Sequence, residues 1–177
     1  MNHLRELAQI LAGVQGERYR GAVIMRAEWW KQSGQGPLVP AREILQDRHG
    51  LMTVRCCCQQ EVLQVTMLLG HVQKKTQAVP QSESKWLLPD AEAVAISAME
   101  IREFTAAVGD TNAIHQGQNP IIPGLLLMER LLNRQADDRR KLSLRFVHAM
   151  FSGRFFVDWS TGRIWQEALC TANFCWQ

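Results

Sequence analysis

FTAAVGDTNAIHQGQNPIIPGLLLMERLL, residues Phe104–Leu132, is the stretch on which the architecture turns. Just ahead of it, Ser97 precedes Glu100 by three residues, the spacing of a capping box in which each side chain takes up a backbone N–H that the helix leaves free. Ile101, Phe104 and Val108 then form the apolar stripe of a helix, and Gly109 stops it. A polar loop, Asp110–Asn119, leads into Pro120-Ile121-Ile122-Pro123-Gly124. The run Leu125-Leu126-Leu127-Met128-Glu129-Arg130-Leu131-Leu132 follows, in a helix starting near Pro123. It is apolar on nearly every side, so that helix lies inside the protein, wrapped by other elements.

Downstream, Leu142, Leu144, Phe146 and Met150 alternate along a strand. Phe155–Trp159, Thr161-Gly162 and Ile164–Trp176 read as a hairpin, with Ala168, Cys170, Ala172, Phe174 and Trp176 on one face. A buried helix followed by long antiparallel strands predicts an α+β protein whose sheet curls around that helix. Upstream, His3–Val14 places Leu4, Leu7, Ile10, Leu11 and Val14 at helical spacing, ended by Gly13 and Gly16. Strand-like stretches follow at Ala22–Trp30, Leu38–Gln46, Met52–Gln59 and Val62–Val72, with Asp47-Arg48-His49-Gly50 as a turn. Gln73–Lys85 is polar, holds Pro80 and reads as a connector.

The chain therefore divides into 1–72, a connector at 73–85, and 86–177. Leu4-Arg5-Glu6-Leu7, with Arg18-Tyr19-Arg20 and the strand Val23–Trp30 after it, echoes Met128-Glu129-Arg130-Leu131. The latter precedes Arg139-Arg140-Lys141 and a strand over Leu142–Phe151. Either the first part is a degenerate copy of the second that lacks its polar loop, or two helix–strand pairs simply look alike.

A length of 177 residues is long for one minimal domain and short for two, and a hydrophobic share of 46% is enough for a proper core. The 20 basic and 17 acidic residues leave a net charge of +3, too weak an excess to argue for nucleic acid. The cluster Arg139-Arg140-Lys141, with Arg134 nearby, reads as a solvated loop; the alternative is a patch for the phosphates of an anionic carrier. No run approaches the roughly 20 apolar residues that cross a bilayer. Met1–Val14, carrying Arg5 and Glu6, lacks the apolar core of a signal peptide. The expectation is a cytoplasmic protein with neither membrane nor nucleic acid as partner. Of the five cysteines, Cys56-Cys57-Cys58 are consecutive and would point alternately to opposite faces of a strand. That fits free thiols in a reducing compartment rather than a disulfide framework or a zinc site.

Chemistry concentrates in the polar loop. Taken singly, Asp110 and His115 have plain structural readings: an aspartate after a helix-ending glycine closes turns, and a loop histidine is often only a satisfied hydrogen-bonding group. Together, ahead of Pro123-Gly124 and a buried helix, they read as a functional pair. Asn112 reads as fixing the loop, and Glu129 either as the exposed edge of its helix or as a second carboxylate. His148, on the strand face of Leu142, Leu144 and Phe146, reads as a core histidine. Trp29, Trp30, Trp165 and Trp176 read as sheet packing.

Gly109-Asp110-Thr111-Asn112-Ala113-Ile114-His115 resembles the G-D-x-N-P-x-H signature of the MaoC-like (R)-specific enoyl hydratases and dehydratases. These have the hotdog fold, an antiparallel sheet wrapped around a central helix. The resemblance implies that Asp110 and His115 are the catalytic pair. It also implies that the backbone N–H of Gly124 meets the thioester oxygen, with Asn112, Pro123 and Leu125 at the substrate. Ala113 stands where the family usually has proline, which loosens the loop without altering its chemistry. The segment His115–Gly124 is also similar to the H-x-x-x-N-P-I-x-P-G segment of the β-hydroxyacyl-ACP dehydratases. That second resemblance implies His115 with Glu129, five residues after Gly124, as the alternative carboxylate. The two converge on His115 and differ about its partner.

Between His115 and Pro123 only the seven residues Gln116–Ile122 intervene, where MaoC-like sequences carry a longer insertion, so the acyl pocket is not part of what is implied. The resemblance covers under a fifth of the chain. Hotdog units usually pair edge to edge with the active site between them. This chain is then expected to form a homodimer or, if the repeat is real, a degenerate double hotdog whose halves pair within one chain. In the latter, Glu6 would take the place corresponding to Glu129.

Hydration of an enoyl thioester moves a proton at the α-carbon and adds water at the β-carbon. A positioned acid and base contribute on the order of 10²–10⁴-fold to such steps. Histidine titrates near neutrality and serves either role, while a carboxylate orients it or holds the water. A glycine N–H at a helix start meets the developing charge on the thioester oxygen. The leading reading is a hydratase or dehydratase of 3-hydroxyacyl or trans-2-enoyl thioesters of coenzyme A or acyl carrier protein; the alternatives are a non-catalytic acyl-thioester-binding or assembly subunit and a hotdog thioesterase. No metal or redox cofactor is implied; the pantetheine carrier belongs to the substrate.

Overall fold

The described residues of the computed structural model are 3–14, 16, 19–34, 39–70, 91–134 and 140–177. The first part gives α1 (Leu4–Ala12), β1 (Val23–Lys31), β2 (Ala41–Arg48), β3 (Leu51–Cys58) and β4 (Glu61–Leu68). The second gives β5 (Ala91–Ile96), α2 (Ala98–Val108), α3 (Gly124–Arg134), β6 (Lys141–Phe146), β7 (Gly153–Asp158), β8 (Arg163–Gln166) and β9 (Leu169–Trp176).

The capping box forms as read: Ser97 Oγ accepts from the Glu100 N–H at 3.1 Å and Glu100 Oε2 from the Ser97 N–H at 2.8 Å. Gly109 ends α2 in the left-handed region at φ 73°, where a side chain would be strained. α3 is the enclosed helix: Gly124 through Glu129 and Leu131 are all buried. α1 turns Leu4, Leu7, Ala8 and Leu11 inward and packs against α2, α3 and the strands β2–β4.

The strands form one antiparallel sheet in the order β2-β3-β4-β1-β6-β9-β8-β7-β5. Read outward from the central β1–β6 pair, β4, β3 and β2 on one side match β9, β8 and β7 on the other, with β5 added at the edge. Ala27 faces Leu144 and Trp29 faces Leu142 across that central pair, and all four are buried. This is the α+β hotdog architecture, a sheet curled over its helices.

Several boundaries differ from the sequence reading. β2 runs through Asp47 and Arg48, leaving His49-Gly50 as a two-residue hairpin loop with φ 54° and 75°. Positive φ at both positions gives a turn whose twist matches that of the flanking strands. β5 has no clear strand signature in the sequence: its alanines alternate weakly, and it pairs only with β7 at the sheet edge. The stretch Ile164–Trp176 is two strands, broken at Glu167, whose φ is 56°. β6 stops at Phe146 because the N–H groups of Val147 and His148 both turn to the Thr171 carbonyl. His148 is consequently exposed, not a core residue.

Trp29 is buried and donates its indole N–H to Glu61 Oε2 at 2.8 Å. Cys56 and Cys58 are buried, Cys57 is half-buried, and all five cysteines are free thiols. The connector at 73–85 and Arg139 lie outside the described residues. Arg134 pairs with Glu92 at 2.9 Å and Lys141 with Glu28 at 3.4 Å. Among the described residues, no helix is long and apolar enough to cross a membrane.

Candidate active site

The loop after Gly109 is shaped by its own side chains. Asp110 Oδ1 accepts the Asn112 N–H at 2.9 Å, closing a turn of the kind that short polar residues favour. Ala113–His115 then form a single 3₁₀ turn. Asn112 ties this loop to the entry of β1: its Oδ1 accepts the Gly21 N–H at 2.9 Å and its Nδ2 donates to the Ala22 carbonyl at 2.7 Å. Its amide is thus spent on holding the two parts of the chain together.

His115 is buried, with its Nδ1 2.7 Å from the carbonyl of Ile121. A carbonyl only accepts, so Nδ1 carries the proton and Nε2 keeps its lone pair. That carbonyl is fixed in turn, because the N–H of Ile121 donates to the Ile114 carbonyl and the N–H of Ile122 to that of Met150. Nε2 faces Asp110 Oδ2 at 3.6 Å. This is longer than a direct hydrogen bond and short enough for one oxygen to reach both groups. Burial pushes the imidazole below its ordinary pKa, outweighing the opposing pull of Asp110 and of the Ile121 carbonyl.

Both groups open onto a cavity of about 540 Å³. Pro123, Gly124 and Leu125, at the start of α3, form its wall beside them. The Gly124 N–H belongs to the first helical turn, where its own helix offers no acceptor. A Cβ at Gly124 would lie 2.9 Å from the Phe146 ring, so any side chain there presses on that ring.

Glu129 is placed elsewhere. It is not among the residues lining the cavity, and Arg5 grips its carboxylate through two contacts of 2.6 and 3.1 Å. Glu6 does not line the cavity either; it meets His3 and Cys58. The structure therefore brings together Asp110, His115, Asn112, Pro123, Gly124 and Leu125, and sets Glu129 apart.

The reading from sequence missed the far wall, where Leu11, Tyr19, Arg20 and Ile24 come from the first part of the chain. They carry no motif. His148, assigned to the core, also lines the cavity, and only the end of its strand at Phe146 explains why.

No protein-family model and no curated protein matches the sequence. Solved structures do match. HtdX from Mycobacterium tuberculosis superposes with a TM-score of 0.58 at 14% identity, over 99% of this chain and 84% of that one. A MaoC-like dehydratase gives 0.61 at 12% identity, over 98% and 81%. A MaoC-like dehydratase from Phytophthora capsici gives 0.53 at 14% identity, over 93% and 74%. With the enclosed α3, the curled nine-stranded sheet and nearly full-length superposition, the chain has the hotdog fold of the MaoC-like dehydratases.

Proposed function

We propose that this protein is a hydratase or dehydratase of 3-hydroxyacyl and trans-2-enoyl thioesters carried on coenzyme A or acyl carrier protein. The observation that carries the reading is the His115 imidazole. It is held by the Ile121 carbonyl with Nε2 unprotonated, and it faces Asp110 in a cavity wall that also contains the start of α3.

In the hydration direction, a water oxygen sits within reach of both Nε2 and the Asp110 carboxylate. Nε2 takes one proton as the oxygen adds to the β-carbon. Asp110 accepts a hydrogen bond from the remaining O–H and offsets the charge of the imidazolium. Electron density moves through the α-carbon onto the thioester oxygen, which the Gly124 N–H and the dipole of α3 receive. The imidazolium then returns its proton to the α-carbon, so that one water has been added and His115 is restored. Dehydration is the reverse. The two parts of the chain act as a pseudo-dimer joined at β1–β6, each supplying one wall of the cavity.

The arrangement with Glu129 as the acting carboxylate lacks comparable support, because Arg5 holds that side chain away from the cavity. Incubation with crotonyl-CoA, followed through loss of the conjugated enoyl absorbance, tests the proposal, and a thiol reagent in the same cuvette reads hydrolysis. His115→Ala and Asp110→Asn are each expected to slow hydration by on the order of 10²–10⁴-fold with the fold intact. Thiol release without loss of enoyl would favour a thioesterase, and binding without either would favour a non-catalytic subunit. Activity unchanged in both variants would remove this site.

A further inference from the structure

At the end of α1 opposite the cavity wall, three different ligand atoms come together. Cys58 Sγ donates to Glu6 Oε2 at 3.0 Å, and His3 Nδ1 lies 3.2 Å from Glu6 Oε1. One ligand atom from each of His3, Glu6 and Cys58 lies within 4.8 Å of the other two. None of the three lines the cavity.

We propose that His3, Glu6 and Cys58 bind a zinc-class divalent ion, with water as the fourth ligand. Metal–ligand distances of about 2.0–2.3 Å in a tetrahedron place neighbouring donors roughly 3.3–3.8 Å apart. The 3.0 and 3.2 Å contacts go to different oxygens of Glu6, so its carboxylate turns to offer one of them, and donors already within 4.8 Å of one another draw together by at most about 1.5 Å to reach that spacing. A thiolate, an imidazole and a carboxylate make a borderline-soft donor set that suits zinc over magnesium or calcium. The thiolate and carboxylate also neutralise a dication. On binding, the Cys58 thiol releases its proton to solvent and a sulfur–metal bond replaces the S–H···O contact to Glu6.

The surroundings hold the site in place. His3 and Glu6 stand three residues apart, at the N-cap and first turn of α1 and on one face of the helix. The His3 backbone N–H donates at 2.9 Å to Glu61 Oε2, the same oxygen that receives the Trp29 indole. Glu61 is buried at the start of β4, and Cys58 ends β3. Three elements therefore place the backbones that carry the donors, and the half-exposed Glu6 side chain is the one with room to turn. Only one cysteine of the Cys56-Cys57-Cys58 run takes part, and its partners come from a helix some fifty positions away, so cysteine spacing does not reveal the site.

The test is a titration of the untagged full chain with Co²⁺, read by thiolate-to-cobalt charge-transfer absorption. One equivalent is expected to bind, with the band abolished by excess Zn²⁺ and missing in Cys58→Ser. His3→Ala should weaken binding by at least roughly tenfold, because even the loss of a supporting contact has that effect. A folded wild-type protein with no band overturns the proposal, and so does a band that survives Cys58→Ser. Should Cys58→Ser fail to fold, Glu6→Gln at the exposed ligand takes its place, and unchanged Co²⁺ affinity there overturns the site equally.

Discussion

At the scale of single residues, the state of His115 decides most of what can be measured. In the proposed reaction its working form is neutral, with the lone pair on Nε2. Burial holds its pKa below the ordinary 6.5, so the acid limb of kcat/KM for hydration should fall below that value, activity rising with pH through it. Asp110 pulls the other way, and Asp110→Asn should move the titration lower still. NMR titration of the ring checks both shifts, and a midpoint at or above the ordinary value contradicts the assignment. The same burial makes folding pH-dependent with a definite sign. The unfolded chain binds the proton more readily, so this contribution to stability is complete above about pH 6.5 and is lost as pH falls through the depressed folded value.

Gly124 offers a second residue-scale prediction. An alanine there meets the edge of the Phe146 ring at 2.9 Å, and that ring lines the cavity. Gly124→Ala should cost about 1 kcal/mol in urea unfolding, the low end for overpacking beside a side chain that can swing aside. It should also raise KM by changing the cavity, and Phe146→Leu in the same chain should restore stability. Asp110, His115 and Gly124 were legible in the sequence because they lie within one short stretch whose order of residue types is specific. Glu129 was ambiguous there: a glutamate on a nearly all-apolar helix needs a partner, and nothing near it in sequence reveals that the partner is Arg5.

At the scale of elements, the Arg5–Glu129 pair joins α1 to α3. Arg5 is 57% exposed, so solvent screens much of the attraction, and a double-mutant cycle should give a coupling of only about 1 kcal/mol. Glu129→Gln should leave hydration nearly unchanged. A large loss of activity with stability intact would instead favour Glu129 as the acting carboxylate. The helices were the readable elements, because the capping box, the apolar stripe and the closing glycine all agree. β5 was not, since an alternation of alanine with larger residues at a sheet edge leaves little contrast between its faces. His148 was misread for a related reason: a strand pattern continues past Phe146 in the sequence, but the backbone there bonds to Thr171 instead of extending the ladder.

At the scale of the molecule, the symmetric strand order places the β1–β6 joint inside a single chain. Sedimentation should therefore find a species of about one chain mass, 20.2 kDa, at low concentration. A dimer that persists on dilution would show that the two parts do not satisfy each other. The far wall of the cavity was the least legible feature of all, because Leu11, Tyr19 and Ile24 reach the loop of Asp110 and His115 only through tertiary packing.

The amide of Asn112 gives this arrangement a consequence in time. It clasps Gly21 and Ala22, some ninety positions earlier, so the loop bearing Asp110 and His115, though shaped by its own contacts, is seated against the rest of the cavity only once the opening segment has docked. A chain whose opening segment has come away would keep both groups and lose one wall of the cavity that the proposed reaction needs. On heating, turnover should vanish at the same temperature at which the docked opening segment comes away, with no active remnant beyond it.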